Sequence, residues 1–111
     1  MVNEFKKTIL DYCKTHGGTS FAELARLFEE AGLDYKGNEC LCIESYNNVF
    51  LWFNWNADAL QAFRELLGEK IYLEPCPPFI YLIDGLIPGL PIAEGKSYKK
   101  PHWAPYWIQM R

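Results

Sequence analysis

A single α+β domain is the fold class this sequence predicts, and three observations predict it. Apolar residues recur at helical spacing in three stretches and alternate at strand spacing in others. Of the 111 residues, half are hydrophobic and 23% are charged, enough for one core and too few for two. Gly, Asn and Pro fall between these stretches, where turn chemistry needs them. The resulting order is helix, helix, hairpin, helix, hairpin and extended tail. It divides into one domain over residues 1–95 and a basic, aromatic C-terminal tail over residues 96–111.

The first helix is predicted over residues 3–15. Val2, Phe5, Ile9, Tyr12 and Cys13 fall at three- and four-residue spacing and form one apolar stripe, and Gly17-Gly18 ends it. In the second, Ser20 is the cap and Glu23 completes a capping box. Phe21, Leu24, Leu27 and Phe28 face inward, and Gly32 stops the helix. A third helix over residues 57–67 takes Asn56 as its cap. Leu60, Phe63, Leu66 and Leu67 make its stripe, while Asp58, Gln61, Arg64 and Glu65 make its polar side.

Between the second and third helices, residues 40–55 predict a β-hairpin turning at Asn47-Asn48, because Asn tolerates positive φ. That register pairs Cys40 with Trp55, Cys42 with Phe53 and Ile43 with Trp52. Both faces are then apolar, and the second needs a cover: the tail, a helix or a partner. A second hairpin over residues 70–83 sets Ile71 and Leu73 against Ile80 and Leu82, joined through Pro75-Cys76-Pro77-Pro78. Asp84-Gly85 reads as a turn.

Charge is uneven. Residues 1–69 hold six Lys/Arg against eleven Asp/Glu, whereas residues 96–111 hold Lys96, Lys99, Lys100 and Arg111 with no acid. An acidic body repels phosphate, so nucleic-acid contact is predicted only through a local basic patch. No apolar run reaches the roughly 18 residues of a membrane helix, so no membrane partner is expected. Met1–Lys7 lacks the apolar core of an export signal. The expected compartment is the cytoplasm, and Cys13, Cys40, Cys42 and Cys76 are expected as reduced thiols.

The chemistry-bearing motifs are sparse. Cys13-x-x-His16 with Cys40-x-Cys42 supplies zinc ligand types at an uncommon spacing, and buried apolar cysteine is the competing reading. No metal and no cofactor are predicted. His16 and His102 lie far apart, and neither a nucleophile elbow nor a zinc-protease helix nor a phosphate loop is present. With no convergent acid, base and nucleophile, the expectation is a non-enzymatic binding module.

A helix followed by a β-hairpin, residues 57–67 and 70–83, resembles the winged-helix class, except that a hairpin separates the second and third helices. The resemblance implies double-stranded DNA as a partner. Gln61 and Arg64 would read bases or phosphates, and Lys99, Lys100, Trp103 and Trp107 would form a gripping, stacking arm. The competing reading packs the tail rings over the first hairpin. Residues 50–105 also resemble small proteins encoded by prophages and pathogenicity islands of Gram-positive bacteria. That likeness runs through Leu51-Trp52, Pro75-Cys76-Pro77-Pro78, Tyr81-Leu82-Ile83-Asp84-Gly85, Leu90-Pro91-Ile92 and Tyr98 to Pro105. It implies a mobile-element origin and no established activity, so it supplies no catalytic residues. The alternative function is a protein-interaction module or homodimer, anchored by Phe50, Trp52, Tyr72, Phe79 and Tyr81 on an aromatic sheet face.

Overall fold

The computed structural model describes residues 1–85 and 88–111. The elements run α1 (Val2–Cys13), β1 (Thr19–Ser20), α2 (Phe21–Glu30), β2 (Lys36–Cys42), β3 (Asn47–Trp55), α3 (Ala57–Leu66), β4 (Ile71–Pro75), α4 (Phe79–Ile83), β5 (Ser97–Trp103) and β6 (Tyr106–Met110). The α+β class holds. The three-helix count and the winged-helix layout do not, because the described residues form four helices and two three-stranded sheets, ordered β1-β6-β4 and β2-β3-β5. No helix among the described residues is long and apolar enough to cross a membrane.

Local signals account for the first three helices. Ser20 Oγ accepts from Glu23 N at 3.0 Å at the start of α2, and Asn56 Oδ1 accepts from Ala59 N at 2.9 Å at the start of α3. Each cap satisfies one backbone donor that the first helical turn leaves unpaired, worth about 1 kcal/mol. Asn56 also donates through Nδ2 to Asp34 O, so one side chain starts α3 and ties down the loop before β2. Gly18 lies at φ 69°, and a Cβ there would sit 2.8 Å from the Trp107 ring. Glycine at this position thus serves both the turn after α1 and its close approach to β6.

The hairpin between α2 and α3 forms in a different register. The turn is Ile43–Tyr46, closed by Tyr46 N donating to Ile43 O at 3.0 Å, and not Asn47-Asn48. Pairing therefore slides by two residues: Cys40 lies opposite Phe53 and Leu41 opposite Trp52. The left-handed conformation expected of an asparagine is present at Asn48 (φ 56°), but within β3. Asn48 Nδ2 donates to Tyr98 O and Asn47 Nδ2 to Ser97 Oγ, so the two asparagines attach β3 to its parallel neighbour β5.

A second hairpin over residues 70–83 does not form. β4 pairs antiparallel with β6 from the C-terminus, Leu73 opposite Ile108, and residues 79–83 are the helix α4. Pro77 and Pro78 precede that helix, where missing N–H groups cost little. The residues of the tail supply one strand to each sheet, β5 to the first hairpin and β6 between β1 and β4.

The core is a connected run of rings. Phe5 meets Phe28 at 4.9 Å, Phe28 meets Trp55 at 5.3 Å, and Phe21 sits among Trp52, Trp55 and Phe63. Trp52 meets Tyr81 at 5.4 Å, and Tyr81 meets Trp103 edge-on at 4.9 Å. Such pairs add roughly 0.5–1.5 kcal/mol each beyond the area they bury. They carry packing from α1 through Trp55 and Trp52 of β3 to α4 and β5, while Phe50 and Phe53 stay half-buried.

Candidate functional site

The six residues read as a nucleic-acid surface lie on three elements. Gln61 and Arg64 are exposed on α3. Gln61 donates to Glu65, which also receives Lys6 at 2.8 Å, and Arg64 Nη2 reaches back to Cys40 O at 3.4 Å. Lys99 and Lys100 are exposed on β5, an edge strand, where lysine also discourages pairing with another chain. Trp103 is 1% exposed within the core. Trp107 is half-buried on β6, and its indole N–H donates to Glu74 at 2.9 Å. The two tryptophans are held in packing and hydrogen bonding, and the arm geometry is absent.

The five aromatic anchors also separate. Trp52 is 3% exposed, stacked on Phe21 and tilted against Tyr81, and Tyr81 is fully buried. The Tyr81 hydroxyl donates to Tyr106 O at 2.6 Å and accepts from Phe21 N at 3.2 Å, and burial pushes its phenol far above the ordinary range. Phe50 is half-buried, as is Tyr72, whose ring lies 5.4 Å from the Arg111 guanidinium. Only Phe79 is largely exposed, at 56%.

Phe79 is not alone. It lies on α4 with Leu82 (68% exposed) and Ile83 (73% exposed), at positions i, i+3 and i+4, which share one helix face. Tyr81 holds the opposite face in the core, and Asp84 at the helix end accepts from Ser20 Oγ at 2.5 Å. Asp84 is therefore a tertiary tie between α4 and the start of α2 as well as a turn residue. As the strand that the sequence predicts, this segment would set Leu82 opposite Leu73 or Ile71; as a helix it turns Leu82 and Ile83 to the surface. The sequence carries no signal for this outward face: all of Phe79–Ile83 is apolar, and a short apolar run fits a buried strand as well as a helix.

A second surface forms where β2 meets α3. Cys40 and Cys42 are exposed, with their Sγ atoms 3.9 Å apart. They border an open groove of about 710 Å³ whose lining includes Leu41, Leu51, Arg64 and Leu73. Burial pushes the Cys42 thiol up to about 11, the neighbouring Cys40 adds to this, and the Arg64 guanidinium opposes it. The four-residue metal set with Cys13 and His16 does not assemble. Cys13 is buried in the core, and His16 is exposed, stacked on Tyr12 at 3.9 Å. No group of three or more His, Cys, Asp and Glu side chains suited to a metal occurs among the described residues.

Comparison with family models, curated proteins and solved structures finds no match for this chain.

Proposed function

We propose that this chain is a non-enzymatic protein-interaction module that docks through α4, and that its partner surface is the α4 of a second copy. The observation that carries the reading is the Phe79, Leu82 and Ile83 face, three large apolar side chains more than half exposed on one helical turn. Apolar surface gathered in one place favours removal from water, at about 25 cal/mol per Å² buried. Charge favours self-pairing. From Phe79 to Ile83 no side chain carries a charge, and Asp84 just beyond is hydrogen-bonded to Ser20, so two copies bring no like charges together along the stripe itself. The aromatic face read from the sequence contributes Phe79 to this surface, while Trp52 and Tyr81 serve as its foundation. The mobile-element origin rests on the resemblance across residues 50–105 alone.

The test is sedimentation equilibrium over a concentration series. The wild-type chain is expected to show a monomer–dimer equilibrium, and Leu82→Glu with Ile83→Glu is expected to leave a folded monomer. A wild-type chain that stays monomeric at about 100 µM, far above the Kd of about 1 µM that corresponds to 8.2 kcal/mol, overturns self-association.

A further inference from the structure

We infer that Cys40 and Cys42 form a binding site for a soft monovalent cation of the Cu(I) class, with Arg64 balancing the charge of the complex. A metal–sulfur bond of about 2.3 Å sets two thiolates about 3.8 Å apart at a tetrahedral ion and about 4.0 Å apart at a trigonal one. The two Sγ atoms stand 3.9 Å apart before any ion is bound, the spacing of a trigonal ion completed by a third ligand and not the roughly 4.6 Å of a linear two-coordinate one. Alternation along β2 places residues 40 and 42 on one face, and the shift in pairing between Leu41 and Cys42 leaves it intact, because the extra residue, Leu51, belongs to β3. The donors are thus arranged in advance, so little ordering accompanies binding.

The choice of ion follows from donor type, donor number and charge. Paired thiolates select soft ions such as Cu(I) and zinc. A closed zinc site needs four protein ligands, and no third His, Cys, Asp or Glu joins this pair among the described residues. Cu(I) is satisfied by fewer sulfurs. Binding breaks two S–H bonds, forms two S–Cu bonds and releases two protons to solvent, leaving a bis-thiolate complex with one net negative charge. Arg64, whose Nη2 lies 3.4 Å from Cys40 O, is the positive group beside it. Leu41, Leu51 and Leu73 in the groove lower the local polarity, which strengthens that attraction, while the same burial and Glu44, which also lines the groove, oppose the negative charge that Arg64 offsets. A third coordination position stays open to a small thiol.

The experiment is anaerobic competition between the reduced chain and a chromophoric Cu(I) chelator. The wild-type chain is expected to withdraw one equivalent of Cu(I). Cys40→Ser and Cys42→Ser are each expected to weaken retention at least a hundredfold, and Arg64→Ala about threefold to tenfold. All three positions are exposed, so folding is retained, with far-UV circular dichroism as the check. Zn(II) at equal concentration is expected not to displace the copper. Failure to withdraw copper, or withdrawal that persists in the Cys40→Ser, Cys42→Ser double variant, overturns the site. Unchanged affinity in Arg64→Ala, or displacement by Zn(II), overturns the assignment to a monovalent ion.

Discussion

α2 and α4 are both helices packed on the same aromatic core, yet they are held in opposite ways. α2 carries its orientation in its own sequence. Phe21, Leu24 and Phe28 lie inward, Arg26, Glu29 and Glu30 lie outward, and Ser20 caps its first turn. α4 carries none of this. All five residues are apolar, its N-terminal Pro78 offers no side-chain cap, and only Tyr81 is fully buried. Its orientation comes from outside, through the two hydrogen bonds of the Tyr81 hydroxyl and the Ser20–Asp84 bond. An amphipathic helix specifies its buried face by solvation. A uniformly apolar one is aimed by a few polar ties, and the face those ties leave outside is available for a partner.

Four substitutions break or sharpen this contrast. Phe21→Ala removes the ring around which Trp52, Trp55 and Phe63 pack, and is expected to cost about 3–5 kcal/mol in urea unfolding. Tyr81→Phe keeps the ring and removes the hydroxyl that aims α4. It leaves Tyr106 O and Phe21 N without that partner and is expected to cost about 2 kcal/mol. Amide exchange in residues 79–84 should rise more than in α2; equal exchange in the two helices would show that apolar packing alone aims α4. Leu82→Glu alters only the outward face and is expected to change monomer stability by less than about 0.5 kcal/mol, while abolishing dimerisation in the sedimentation series. A large loss of stability there would mean that Leu82 belongs to the core.

The smallest effect concerns Glu23. Burial raises its carboxyl pKa first, and Asp84 raises it further. A raised folded-state value means that protonation favours the fold. This contribution is full below the ordinary carboxylate range and is lost as pH rises through the folded value. At neutral pH the ionised group is therefore a small burden on the fold. Glu23→Gln is expected to stabilise the chain by no more than about 0.5 kcal/mol at pH 7, after discounting for solvent screening, and by nothing near pH 3. Equal effects at both pH values would exclude the ionisation as the cause.

Of the candidate surfaces, the sequence shows the parts but not their arrangement. Cys40 and Cys42 on one strand face follow from alternation, yet the nearby Arg64 belongs to α3 and is brought there by packing. Phe79 was legible as an anchor. Leu82 and Ile83 were not, because a short apolar run fits a strand as well as a helix. Lys99 and Lys100 are as exposed as their charge implies, whereas Trp103 and Trp107 are drawn inward by core space and by Glu74.

By itself the sequence determined α1, α2 and α3, the Ser20 and Asn56 caps and most of the buried stripes, Leu67 being exposed past the end of α3. Those signals act within one or two helical turns and need no distant partner. Tertiary structure alone decided that β4 pairs with β6, that the first hairpin turns at Ile43–Tyr46, and that α4 is a helix with an outward apolar face. A period of two tells a strand which side is apolar but not which strand lies beside it. That choice belongs to the whole core, where Tyr81, Trp52 and Trp103 meet.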